Sequence, residues 1–231
     1  LPGLTVSQRS GEPGRDDPNL LIRGTGTFGD NNPLIIIDGV PRSDMGRLNP
    51  EDIESISVLK DASAAIYGAR AANGVILVTT KKGKAGDAVI TYDFSYGMQN
   101  VWRKPYVLDA TEYAVMMNEA AINAGNAPVY ENPYKFGKGT DWVDAVLNKN
   151  APVVQHQIQA SGATDKVNYM FSAGYFSQDG IVGGNYGVSN YDRLTLRANT
   201  NAILFDNSKT SDWFNKATVS VNVSYANINS V

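Results

Sequence analysis

Cysteine is absent from the sequence. That removes disulfides, thiolate metal sites and thiol nucleophiles, and it is compatible with an oxidising compartment. Histidine occurs once, at His156, on the apolar side of an alternating segment. A general base needs a nucleophile beside it, and no G-x-S-x-G elbow or facing pair of carboxylates accompanies this residue. No enzyme is expected. Asp16-Asp17 and Asp30-Asn31-Asn32 lack the spaced loop of a calcium cage, so neither metal nor cofactor is expected. Lys and Arg number 20 against 23 Asp and Glu, a net charge of −3. This carries no basic footprint and points away from nucleic acid. No apolar run approaches the roughly 20 residues of a membrane helix. Leu1 opens no secretory leader, and the chain is expected to be mature or truncated.

What the sequence has in quantity is glycine, 22 residues, and tyrosine, 12 residues, a mix that suits strands joined by many turns. From Pro33 to Gly83 the signals alternate between strand and turn. Leu34 to Ile37 is a continuous apolar run, the pattern of a strand covered on both faces. Asp38-Gly39 is a tight turn. Asn49-Pro50-Glu51-Asp52 starts a short helix, with Asn as cap and Pro in the first turn. Ile56 to Leu59 reads as a second strand, and Asp61 as the cap of a small-residue helix from Ala62 to Tyr67 that Gly68 ends. Asn73-Gly74 turns into the β-branched strand Val75 to Thr80, closed by Lys81-Lys82-Gly83. Upstream, Leu4 to Val6 and Leu20 to Gly24 read as strands. Gly24-Thr25-Gly26-Thr27-Phe28-Gly29 spells G-x-G-x-x-G, but Asp30-Asn31-Asn32-Pro33 and a strand follow it. A dinucleotide site needs a helix there, so this is a glycine-rich loop.

After Gly83 the period becomes 2. Ile90, Tyr92, Phe94, Tyr96 and Met98 share one face, opposite Thr91, Asp93, Ser95 and Gly97. Val154 to Ala160, Val167 to Tyr175, Arg193 to Asn199 and Thr218 to Tyr225 alternate likewise. Segments of about ten residues with this alternation are the signature of outer-membrane barrel strands. A soluble antiparallel β-sandwich alternates in the same way, which leaves a carbohydrate- or peptide-binding module as the competing reading. The connections run long, short and medium, as barrels alternate extracellular loops with periplasmic turns, although the fourth, Asp206 to Lys216, is longer than a tight turn. Within the first of them, Asp109 and Glu112 form a capping pair for a helix bearing Tyr113, Met116, Met117 and Ala120 and ended by Gly125. The two methionines are expected to pack against a neighbour. Thr140-Asp141-Trp142 opens a second helix.

The run IIIDGVP, then NPEDIESISVLKDASAAIYGARAANGVILVTTKKG, resembles the plug domain of a TonB-dependent outer-membrane transporter of the SusC/RagA-like branch. L-x-I-R-G at Leu20 to Gly24, the Thr140-Asp141-Trp142 triplet, Gln178-Asp179-Gly180-Ile181 and Arg193-x-x-x-Arg197-x-Asn199 extend the resemblance over nearly the whole chain. It implies an α/β plug followed by antiparallel strands of a transmembrane β-barrel, incomplete here because five strands cannot close where at least about eight are needed. The expected division is 1–84 for an N-terminally truncated plug and 85–231 for the first strands and loops of the barrel.

The resemblance further implies an importer of oligosaccharides or peptides in the outer membrane of a Gram-negative bacterium. Its partners would be a SusD-like surface lipoprotein, the TonB complex of the inner membrane (whose contact box does not occur here), membrane lipid and the cargo. Substrate-facing plug loops are expected at Arg23, Thr27, Phe28, Asn31 and Asn32, and at Arg42 and Asp44. Lys81, Lys82 and Lys84 form a basic cluster at the joint, read as a solvated linker.

Overall fold

The computed structural model describes residues 3–8, 10–15, 18–26, 28–43, 45–83, 86–183, 186–206 and 216–230. Two strands, β1 (Leu4–Gln8) and β2 (Pro18–Ile22), pair antiparallel as a hairpin. A four-stranded sheet follows, built from β3 (Leu34–Ile37), β4 (Val40–Arg42), β5 (Ile53–Leu59) and β6 (Val75–Thr80) in the order β4-β3-β6-β5. Only the β3–β6 pairing is parallel.

Asp38 and Gly39 both take positive φ, 49° and 84°. Those are the two left-handed positions of a type I′ hairpin turn, and Asp-Gly supplies both at low cost. The chain therefore returns at once as β4, a strand that the sequence reading left inside a loop. The two expected helices are shorter than predicted. Pro50–Asp52 is a single 3-10 turn capped by Asn49, whose side chain accepts from Glu51 N at 3.2 Å, and β5 begins at once with Ile53. Residues 61–71 form three successive 3-10 turns rather than one α-helix. Gly68, at φ 74°, ends the second turn and starts the third. The Asp61 cap lies outside the described side chains.

β6 carries the core. Val75 packs with Ile36, Ala64 and Ala71 on one face, beside Leu77 and Tyr67. Ile76 and Val78 pack with Leu20 on the other face, against Ile22, Ile37 and Val58. Helical turns cover the first face and the β1–β2 hairpin the second, so the continuous apolar runs of β3 and β6 are matched by cover on both sides.

The second half is a single antiparallel meander of β7 (Gly86–Gln99), β8 (Ala151–Ala163), β9 (Val167–Asp179), β10 (Asn190–Asp206) and β11 (Lys216–Ser230), with neighbours in sequence paired throughout. These strands form one layer rather than two sheets face to face, which sets aside the sandwich. At 13 to 17 residues each they exceed the roughly 9–11 that a tilted strand needs to cross a bilayer. They also run past the predicted limits, at both ends in every strand except β9, which starts at Val167 as expected, since ladder pairing continues where the alternation fades. The joint at Lys84 and Ala85 and most of the fourth connection lie outside the described residues.

Between β7 and β8 lies α1 (Ala110–Asn123), which carries the expected capping box. Asp109 Oδ1 accepts from Glu112 N at 2.8 Å, and Glu112 Oε2 accepts from Asp109 N at 2.9 Å. Gly125 follows at φ 77° as the left-handed terminator. A shorter helix, α2 (Trp142–Val146), is capped by Asp141. Met116 and Met117 are 55% and 37% exposed. Neither belongs to a buried core cluster among the described residues, and the buried residue of α1 is Ala114.

Candidate functional site: the seam between the N-terminal unit and the wall

The meander is inverted relative to a soluble sheet. Its apolar residues face out: Ile90 is 71% exposed, Tyr92 61% and Phe94 57%, with Phe171, Leu196 and Val223 also exposed. Its polar residues are the covered ones, with Gln157 1% exposed, Asn199 2% and Thr195 7%. What covers them is the N-terminal unit, so amides, hydroxyls and guanidinium groups of the wall meet that unit.

Alternation along β10 sends Arg193, Thr195, Arg197 and Asn199 to one face, and three of these side chains bond the unit. Arg193 Nη1 donates to Gly46 O at 2.6 Å. Arg197 Nη2 donates to Asp38 Oδ2 at 2.5 Å and to Thr80 Oγ1 at 2.9 Å. Asn199 Nδ2 donates to Thr80 Oγ1 and to Lys81 O, each at 3.1 Å. Asp38 is held ready by its own turn, and its carboxylate also accepts from Thr80 N at 2.9 Å and from the Thr80 hydroxyl at 2.6 Å. The side chains of Asp38 and Arg197 are each 8% exposed. A pair this buried holds only while both charges and their remaining hydrogen-bond positions are met.

β8 and β9 supply a second set. Asn49 Nδ2 donates to Gln157 Oε1 at 2.6 Å, and Gln157 Nε2 donates to Asp52 Oδ1 at 3.1 Å. Burial pushes the Asp52 carboxyl above its ordinary value, while a hydrogen bond from Ser172 and the charges of Arg197 and Lys81 pull the other way. Gly174 makes this contact possible: a Cβ there would lie 2.4 Å from Gln157 Oε1 and 2.6 Å from Asn49 Nδ2. At the base, Asn168 Nδ2 donates to Gly83 O at 2.5 Å.

The sequence-predicted loop residues fall into two groups that the structure does not bring together. Arg23, at φ 63°, lines a cavity of about 170 Å³ with Lys60 and Asn73. Nearby, Asn73 Nδ2 donates to Asp30 O at 2.7 Å, and Asn31 Oδ1 accepts from Gly26 N at 2.9 Å. Asn32 N donates to Asp30 Oδ1 at 2.9 Å, and Phe28 is fully exposed. These residues precede β3. Arg42 lies on β4, opposite Ile35 of β3, and lines a separate, larger cavity of about 310 Å³ between the unit and β10–β11. Thr27 and Asp44 lie outside the described residues. No cluster of three or more metal-ligating side chains occurs among the described residues.

Sequence reasoning missed the seam itself. Its one legible signal was the row of Gln, Arg and Asn side chains on alternating positions of β8 and β10, which implied a polar face without saying what it meets.

Residues 1–75 match the TonB-dependent receptor plug domain. The chain is 36% identical over 215 residues to TonB-dependent receptor P26 of Formosa agariphila, covering 90% of this chain and 21% of that protein. It is 34% identical over 218 residues to TonB-dependent receptor SusC of Bacteroides thetaiotaomicron, covering 89% of this chain and 20% of SusC. The RagAB peptide importer in its closed-closed state superposes with a TM-score of 0.80 at 30% identity, over 100% of this chain and 28% of that one. The chain belongs to the SusC/RagA-like TonB-dependent receptors. It spans about a fifth of the length of the curated relatives it matches. In the terms of this family the N-terminal unit is the plug and the meander is a stretch of barrel wall.

Proposed function

We propose that the protein to which this chain belongs is an energy-coupled importer of oligosaccharides or peptides in the outer membrane of a Gram-negative bacterium. The observation that carries the reading is the inverted sheet: an apolar face open on one side and a polar face sealed by the plug on the other. A layer of that kind is stable between lipid and a filled lumen, since lipid requires an apolar wall and backbone groups satisfied within the sheet.

The plug closes the pore, and the seam along β8 to β10 is what a pull on the plug must loosen. Polar bonds suit that task, because water replaces them as the seam opens, whereas a large apolar interface has no such substitute. Residues 1–84 act as the movable element and 85–231 as the fixed one. The pull comes from the TonB complex, and a SusD-like surface lipoprotein presents cargo from outside. Cargo meets the plug at the loops bearing Arg23, Thr27, Phe28, Asn31 and Asn32, and at Arg42 and Asp44. Likeness to the RagAB peptide importer supports the peptide class, and the SusC-like resemblance of the sequence carries the oligosaccharide class.

The test is a reversible tether in the full-length protein. Cysteines placed at Ser43 of the plug and Ser224 of the wall, which line the same cavity, are joined by a cleavable bifunctional maleimide. Uptake of a pooled oligosaccharide and peptide digest is expected to stop on linking and to return on cleavage, with membrane insertion unchanged. Undiminished uptake through a fully tethered plug would sink the reading.

A further inference from the structure

The cavity of about 310 Å³ between the plug loop and β10–β11 has a size that suits a ligand rather than a packing flaw. Five charged side chains line it: Asp38, Arg42, Arg47, Asp52 and Arg197. Three of these are engaged across the seam, Asp38 with Arg197 and Thr80, and Asp52 with Gln157. Arg42 and Arg47 are different. Both are exposed, and the side chain of neither forms an ion pair or a hydrogen bond among the described residues. The loop from Val40 to Leu48 carries two arginines and one acid, Asp44, in a chain whose net charge is −3. The cavity lining itself holds three arginines against two aspartates, a surplus of one positive charge against the sign of the whole molecule. Facing the loop across the cavity are Asn222 and Ser224 of β11, an amide and a hydroxyl able to bond a polar chain without adding charge.

Guanidinium groups grip carboxylates through paired, charge-assisted hydrogen bonds and discriminate by geometry as well as by charge. We infer that Arg42 and Arg47 form an oxyanion subsite of the plug, which selects cargo bearing a carboxylate. The inference rests on the importer reading and deepens it. An acidic oligosaccharide and an acidic peptide offer the same group, and either satisfies the chemistry.

Matched probes in the full-length, detergent-solubilised protein separate the two sources. One pair is an oligogalacturonate and its methyl ester, and the other a glutamate-containing peptide and its glutamine counterpart. Calorimetry is expected to show the carboxylate member of at least one pair binding on the order of tenfold tighter than its neutral partner. Which pair responds names the cargo class. In the doubly substituted R42Q/R47Q protein that preference is expected to vanish. Arg47→Lys, which keeps charge but loses the planar fork, is expected to retain part of it. Equal affinity within both pairs, or a preference that survives the double substitution, would overturn the subsite. Uptake of the pooled digest by cells carrying the parent protein keeps the two readings apart: uptake by the parent without charge preference removes the subsite and leaves the importer standing, whereas no uptake at all removes the importer.

Discussion

Asp38 and Arg197 lie 159 positions apart in sequence and 2.5 Å apart in space. One belongs to a type I′ turn in the plug, the other to the fourth strand of the wall, and Thr80 joins them by bonding both. This contact ties the turn, the last residue of β6 and the wall into one unit.

Removing one member of that pair is expected to cost more than the pair contributes, because the survivor stays buried and charged. Arg197→Met should loosen the plug by about 3–5 kcal/mol. The check is hydrogen exchange of β3 and β6 in the full-length protein, where protection should fall in the plug and persist in the wall strands. The combination of Asp38→Asn with Arg197→Met should recover part of the loss. Equal protection in the parent and the single variant would show that the plug is held elsewhere.

Gly174→Ala tests the close approach at β9. The added Cβ would meet Gln157 Oε1 at 2.4 Å and Thr195 Oγ1 at 2.8 Å, so the Asn49–Gln157–Asp52 chain has to shift. Overpacking of this kind costs about 1–3 kcal/mol. Limited proteolysis should cut the plug of the variant sooner, while the wall keeps its heat-resistant electrophoretic mobility.

Asp52 makes the seam sensitive to pH in a defined direction. Its folded carboxyl holds its proton more tightly than the ordinary value of 3.8 because burial disfavours the charge. Below about pH 3.8 both folded and unfolded chains are protonated and this group does not weaken folding. As pH rises through the folded value, the unfolded chain ionises more readily and stability is lost. Asp52→Asn removes the step. Urea unfolding in lipid vesicles should find the variant more stable than the parent at neutral pH and indistinguishable from it in acid.

The outward face predicts an opposite pattern of tolerance. Ile158, 49% exposed, lies beside Gln157, 1% exposed, on the same strand. Ile158→Arg places a charge in lipid and should destabilise the barrel by about 2–4 kcal/mol, read as loss of folded protein in the outer-membrane fraction. In a sheet that faced water on that side, the same change would be nearly neutral.

Much of this architecture is legible residue by residue. Asp38-Gly39 requires left-handed backbone and obtains it. Asp109 and Glu112 close a capping box, Gly125 ends α1, and period-2 alternation marks β7 to β11. Each of these depends on neighbours within a few positions, where side-chain chemistry acts directly on the backbone. The same locality misleads at residues 61–71, where helix-forming alanines are divided by Gly68 and yield 3-10 turns instead.

The sequence by itself determined which face of each wall strand is polar, where the turns fall, and that an α/β unit precedes a run of amphipathic strands. Only the tertiary structure decided what the polar face meets. Gln157 finds Asn49 and Asp52 more than 100 positions away, and Arg197 finds Asp38 and Thr80. A hydrogen bond across such a separation leaves no periodic trace, because a polar side chain facing water and one facing a buried carboxylate read alike until the chain has folded.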